Sequence, residues 1–317
     1  MKLQKILAIF TSVVGISTGL PSYAQDNKPL RVIVPFTSGS GSDDSSRFYA
    51  DQLSKKLDRT VIVENKPGAS GSIAVQSVLS APADGNTILL GSNSLIAVNP
   101  VVMKDLSYSP FDDLEPLHGL MISSPAIIVA ADSPYKKIQD LVDAYKKNKT
   151  PLLTGTYSEG YKLVADWIAN ETGIEMTSVP YKGGSQMVTD LIGGRLDFAL
   201  NDQTGVLPLI AANKIRALAI TGAQRDDKMP DTPTMLELGY KNFESYVWSS
   251  FSVKSGTPLE VKMKLAKAIT DLQKSPDAIE YASKRAGTVL ALSLDKLGEF
   301  QKLEYQRFKN VFDTMNK

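Results

Sequence analysis

The 317-residue chain has no cysteine and one histidine, and its charges nearly cancel, 35 lysines and arginines standing against 34 aspartates and glutamates. Each scarcity removes a class of function. Without thiols there is no disulfide framework, no thiolate ligand for a metal and no cysteine nucleophile. A lone histidine, His118 in "DDLEPLHGLM", cannot supply a multi-histidine zinc site. With no partner beside it, His118 reads as an ordinary surface or boundary residue. A chain without a clustered basic surplus does not suit a phosphate backbone, so no nucleic acid is expected. No Gly-Lys-Ser or Gly-Lys-Thr occurs, which excludes a P-loop, and no pair of carboxylates stands out by spacing for acid–base work. No cofactor, no metal and no catalytic residue is expected, and an enzyme is the weakest reading.

What is present begins with a leader. Lys2 and Lys5 precede the apolar run "ILAIFTSVVGI", and "SYA" stands before Gln25, the three-part layout of a secretory signal peptide over residues 1–24. A membrane span is the competing reading, but Thr11, Ser12 and Gly15 interrupt the run and it falls short of ~20 apolar residues. Removing the leader leaves 33 basic against 34 acidic residues, and no G-x-S-x-G nucleophile elbow occurs in the remainder. The mature chain is expected to start at Gln25 in the periplasm, held together by its core rather than by disulfides. Its length suits about two domains of ordinary size.

Apolar strand-like runs then alternate with helix-like runs: "RVIVPF", a helix bearing Ala50, Leu53 and Leu57, "TVIVEN", a helix near "SIAVQSVLSA", and "TILLG". That order reads as α/β with a mainly parallel sheet. A second series follows. It runs through "AIIVAAD", the helix "SPYKKIQDLVDAYKK" with Ser133 expected as its cap and Pro134 at its first position, "PLLTGT", a helix containing Leu163 to Ile168, and "TSVPYKGGS". A helix through Leu191 stopped by "GG", then "LDFAL" and "IRALAIT", complete it. Nearer the C-terminus, "TPLE" offers Thr257 as a cap with Glu260 three residues on.

Ligands of doubly wound sheets bind outside the carboxyl ends of the strands. There the chain places six turns rich in Ser, Thr, Gly and Asn: "TSGSGSD", "NKPGASGS", "GSNS", "TGTYSEG", "PYKGGS" and "NDQTG". The first passes from a strand into a helix, so backbone N–H groups and the positive end of the helix dipole face one small volume that suits an anion. A dinucleotide does not fit, since G-x-G-x-x-G needs glycine where Asp44 stands. A carboxylate does. For any single turn the alternative is a surface loop without ligand; together the six read as a hydrogen-bonding cleft for a small polar solute.

The segments "VPFTSGSGSDDSSR", "VIVENKPGASGSIA", "ADGNTILLG", "VPYKGGSQMVTDLIGGRLDF" and "MPDTPTMLELG", in that order, closely resemble the solute receptors of the tripartite tricarboxylate transporters, the Bug-type extracytoplasmic binding proteins. The resemblance runs through nearly the whole mature chain. It implies a type II periplasmic binding fold, a Venus flytrap of two α/β lobes joined by hinge strands, with 25–123 plus 249–317 in lobe 1 and 124–248 in lobe 2. It also implies a monomer that captures a small organic carboxylate (dicarboxylate, tricarboxylate, aromatic acid or acidic amino acid) and delivers it to an integral membrane permease. A periplasmic sensor feeding a signalling protein is the alternative.

Expected at the ligand are Thr37, Ser38, Ser40, Gly41, Ser42 and Asp43 from the first turn, Ser70 and Gly71 from the second, and Ser92 and Asn93 from the third. From the second lobe come Thr156, Tyr157, Ser158, Lys182, Gly183, Asn201 and Asp202. Departures from the family pattern are Ser40 and Ser70 in place of usual glycines, and Tyr157, Glu159 and Lys162 in a turn where relatives carry glycines and a histidine, so the ligand cannot be copied from a relative. Asp43 is expected to bond inward to its loop, and Asp44 to be solvated on the outer face or to meet a ligand amine. Lys182 is expected to touch either a distal ligand carboxylate or a neighbouring acid. Tyr157 is expected to set selectivity, and lobe closure to accompany binding.

Overall fold

The computed structural model describes residues 28–285 and 287–317; the leader expected over 1–24 and the mature start at Gln25 lie outside them. The first part of the chain forms β1 (Leu30–Val34), α1 (Gly41–Leu57), β2 (Val61–Asn65), α2 (Ser72–Leu79), β3 (Thr87–Ser92), α3 (Asn99–Val102) and β4 (Leu114–Ser123). The middle forms β5 (Ala126–Ala130), α4 (Ile138–Asn148), β6 (Leu152–Thr156), α5 (Glu159–Thr172), β7 (Met176–Pro180), α6 (Gly184–Ile192), β8 (Phe198–Asn201), α7 (Gln203–Ala211) and β9 (Ile215–Ile220). The last part forms β10 (Val247–Lys254), α8 (Leu259–Gln273), α9 (Pro276–Lys284), β11 (Thr288–Val289) and α10 (Leu294–Met315).

Two mixed sheets result, in the orders β11-β4-β10-β3-β1-β2 and β7-β6-β8-β5-β9. β1 pairs in parallel with β2 and β3, and β6 in parallel with β7 and β8, as strand–helix–strand units require. Helices cover both faces, which explains the near-continuous apolar runs of the central strands. In β1, Ile33 packs with Ala74 and Leu89 on one side, while Val32 and Val34 pack with Tyr49, Leu53 and Ile269 on the other. The second sheet repeats this: Ile127 and Phe198 face Leu141 and Trp167, and Ile128 and Ala199 face Met187 and Leu191. Full burial of one such large aliphatic or aromatic side chain contributes about 1.5–3 kcal/mol, so each lobe has a core of its own.

The chain leaves the first sheet after Ser123 and rejoins it at Val247, which pairs with Ser123. The crossings lie side by side and are laced by hydrogen bonds. The Thr221 amide donates to Pro125 O (2.9 Å), its hydroxyl to Ser245 O (2.7 Å), and the Ser245 amide to Thr221 O (2.8 Å). The C-terminal helix also joins the lobes. Phe308 of α10 is buried in the first core, while Val311 and Met315 pack against the second.

Three local expectations are corrected. α4 starts at Ile138 rather than at Pro134, because the Asp140 carboxylate accepts from the Lys136 and Lys137 amides (2.6 and 3.1 Å) and starts the helix there, while Ser133 Oγ closes a turn with the Tyr135 amide (3.2 Å). Thr257 does not cap α8; its hydroxyl donates to Lys254 O (2.7 Å), closing the turn after β10. His118 is neither surface nor boundary but 1% exposed, lying in β4 beneath α8, with Nδ1 2.6 Å from Gly119 O and Nε2 2.9 Å from Thr270 Oγ1. Burial pushes its imidazole below the ordinary range, against the Gly119 carbonyl that raises it.

Candidate functional site

The carboxyl ends of the parallel strands in both sheets point at the gap between the lobes, and α1, α5 and α7 begin there. Each start has a side-chain cap: Ser40 Oγ accepts from the Asp43 amide (3.2 Å), Ser158 Oγ from the Tyr161 amide (3.4 Å), and Asp202 Oδ1 from the Gly205 amide (2.9 Å). Small polar residues at these positions serve the helices first.

Asp43 bonds inward, as its position in the turn suggests. Its buried carboxylate accepts from the Gly39 amide (2.9 Å), Ser38 Oγ (3.3 Å), Asn65 Nδ2 (2.9 Å) and Arg47 (3.0 Å). Burial raises its carboxyl, but Arg47, the Gly39 amide and Asn65 together hold it below the ordinary range. Asp44 keeps about half of its side chain exposed, as an outer-face residue should, but it is not an unpaired charge. It accepts from Tyr281 Oη and Arg285 Nε, each at 2.7 Å, because α9 docks on the start of α1. That docking gives Asp44 a cation and a phenol as partners that its local sequence does not announce.

Seven of the expected residues line one central cavity of about 60 Å³: Gly41, Ser42, Ser92, Asn93, Tyr157, Ser158 and Asp202. On one flank a hollow of about 900 Å³ takes in Ser40, Asp43 and Asn201, together with Arg47, Lys284 and Arg285. On the other a hollow of about 630 Å³ takes in Ser70, Gly71, Thr156 and Lys182. Thr37, Ser38 and Gly183 line none of the three. Thr37 lies against Gly183 so closely that a Cβ on Gly183 would overlap the threonine hydroxyl. Tyr157 borders all three spaces.

Tyr157 is fixed by both lobes. Its hydroxyl donates to Asn201 Oδ1 (2.9 Å) and approaches Asp202 Oδ2 (3.3 Å), while its ring meets Phe36 edge-on at 5.9 Å and Tyr161 at 4.5 Å. Burial, with the neighbouring Tyr161 and the Asp202 charge, keeps this phenol protonated well above its ordinary range. It is therefore a hydrogen-bond donor at any working pH. Sequence reasoning missed Trp248, Met121 and Ser94, which also line the cavity. Met121 and Trp248 belong to the hinge-bearing strands β4 and β10, whose apolar residues carry no local mark that separates a cavity wall from core.

The lobes touch across the gap through polar pairs far apart in sequence. Ser70 Oγ donates to Glu159 Oε1 (3.0 Å), Ser94 Oγ to Ser158 Oγ (2.8 Å) and Ser185 Oγ to Gly39 O (3.2 Å). Lys182, exposed at the start of α6, has no ion-pair partner among the described residues. Hydroxyls, amides and helix starts converging on so small a space can hold a polar solute.

Residues 46–316 match the family model of the tripartite tricarboxylate transporter family receptor. The UPF0065 protein in the TAR-I ttuE-ttuC' intergenic region of Agrobacterium vitis is 36% identical over 301 residues, covering 91% of this chain and 85% of that relative. The fold is similar to that of R. palustris Rpa4515 solved with adipate, at 28% identity and a TM-score of 0.87, covering 91% of this chain and 97% of that one. It is equally similar to the periplasmic binding protein BugD, at 29% identity and a TM-score of 0.86 over the same shares. The chain therefore belongs to the solute receptors of the tripartite tricarboxylate transporter family, Bug-type binding proteins and not enzymes, with their two-lobed α/β fold.

Proposed function

We propose that this protein is exported by its leader to the periplasm, captures a small organic carboxylate in the cavity between the lobes, and delivers it as a monomer to an integral membrane permease. One observation carries this reading: the capped starts of α1, α5 and α7, from two lobes, meet at one small cavity at the ends of the strands, where serines, Asn93 and Asp202 are set among aromatic and apolar side chains. Helix starts present unpaired N–H groups and partial positive charge, and several on one volume hold a carboxylate without a formal cation. The adipate bound to Rpa4515 supports the class of ligand. Lobe 1 is assigned 25–123 with 249–317 and lobe 2 124–248, with α10 leaning on both.

Lys182 fits a distal carboxylate better than a structural ion pair, since no acid among the described residues pairs with it. A thermal-shift panel of mono-, di- and tricarboxylates tests the function. A true ligand at ~100 times its dissociation constant stabilises by about 2.7 kcal/mol, and Lys182→Met is expected to weaken a dicarboxylate more than its monocarboxylate analogue. Absence of stabilisation by every acid in the panel would remove the proposal.

A further inference from the structure

Asp202 brings into the central cavity a charge that carboxylate capture leaves unexplained. One of its oxygens caps α7, accepting from the Gly205 amide at 2.9 Å; the other, Oδ2, has the Tyr157 hydroxyl at 3.3 Å. No lysine, arginine or histidine among the described residues lines the cavity. The basic side chains of the adjoining hollow are committed elsewhere: Arg47 to Asp43, Lys284 to Glu280, and Arg285 to Asp44. Tyr157 and Tyr161 contribute neutral phenols, Asn201 a neutral amide, and Asp44 on α1 a further negative charge that acts on Asp202. A carboxylate in such a setting repels a second carboxylate and attracts a cation.

We propose that Asp202 receives a protonated amine, so that the ligand is a zwitterionic amino acid, its carboxylate at the starts of α1 and α5 and its ammonium on Asp202. This rests on the receptor reading above and narrows its ligand class. Capping accounts for Oδ1 only; Oδ2 has just a long contact of 3.3 Å with the Tyr157 hydroxyl, which donates at 2.9 Å to Asn201 Oδ1, so a neutral phenol is its one partner among the described residues. Burial raises the Asp202 carboxyl above the ordinary range, against the Gly205 amide and the Tyr157 hydroxyl that lower it. The start of α7 gives Asp202 only a partial positive charge through the Gly205 amide; a bound ammonium supplies a full one and a hydrogen bond to an ionised acceptor, the stronger kind.

Matched pairs that differ only by the amine test this: L-aspartate with succinate, L-glutamate with glutarate, and L-alanine with propionate, titrated calorimetrically at pH 7. In at least one pair the amine-bearing acid is expected to bind about tenfold or more tightly, the scale of one hydrogen bond to a charged group. Asp202→Asn keeps the helix cap, since asparagine caps as well as aspartate, and is expected to abolish that preference. Asp202→Ser, which also caps, provides a second readout. Lowering the pH is expected to weaken the amine-bearing acid in the wild type and not in Asp202→Asn, as the carboxylate takes up its proton. Equal or tighter binding of the amine-free partners, or a preference that survives both substitutions, overturns the zwitterion and leaves the receptor standing. No binding by any of these or the panel acids overturns both.

Discussion

The imidazole of His118 spends its two nitrogens on Gly119 O and Thr270 Oγ1 in a space closed to water. Its pKa is lowered on folding, so the unfolded chain binds the proton that the folded chain refuses. Stability is then full above about pH 6.5, the unfolded value, and falls as the pH drops toward the folded value. Urea denaturation from pH 7.5 to 5 is expected to show the stability of the wild type falling more steeply than that of His118→Gln. Parallel curves would mean that the buried imidazole accepts its proton at no cost. Neighbouring acids illustrate what is readable at this scale. Asp43 was readable because Gly39, Ser38 and Arg47 lie within five residues of it. Asp44 was not, since Arg285 is 241 residues away and nothing in the local pattern announces it.

Among the elements, the docking of α9 on α1 depends on a small stacked cluster. The Tyr281 ring lies on Phe48 at 4.0 Å and 14°, Arg285 covers its other side at 3.8 Å, and Asp44 ties Tyr281 and Arg285 together. Tyr281→Phe keeps the ring and loses one hydrogen bond, at a cost of about 1 kcal/mol. Tyr281→Ala loses the stacking as well and is expected to cost about 2–3 kcal/mol, allowing for partial exposure. Urea midpoints compare the two, and equal losses would show that the stack contributes nothing. Element order was legible because the central strands are buried on both faces and the helices between them show a 3.6-residue stripe. Helix starts were less so: Ser133 and Thr257 are good caps by residue type, but turns used their hydroxyls first.

At the scale of the whole molecule, Gly183 marks a point where the lobes must come close. Its backbone is extended, with φ at −179°, so any residue can adopt it, yet a Cβ there would strike Thr37 in the other lobe. Gly183→Ser offers α6 a side-chain cap worth a few tenths of a kcal/mol, and its side chain meets Thr37, which tests whether the lobes close on the ligand. It is expected to leave the unligated melting temperature unchanged, to weaken the best panel acid about tenfold, and to keep the radius of gyration in small-angle scattering above that of the ligated wild type. A ligand shifts the two states only by its differential affinity for them, so loss of contacts completed on closure must appear in affinity. Unchanged affinity and radius would count against closure of the lobes on the ligand.

Strand–helix alternation, the six polar turns and the five family motifs are local or ordered along one line, and from them the α/β class, the family and most of the cavity's small polar lining were readable. Hydrophobic periodicity and turn chemistry act over a few residues, which is why they survive in a linear string. The partners of Asp44, the burial of His118, the reach of α10 onto both lobes and the partition of the expected residues among three spaces were not readable. Each depends on packing between segments tens to hundreds of residues apart. The setting of Asp202 belongs there too: an aspartate beside a helix start is ordinary until the surrounding elements are placed and, among the described residues, form no ion pair with it.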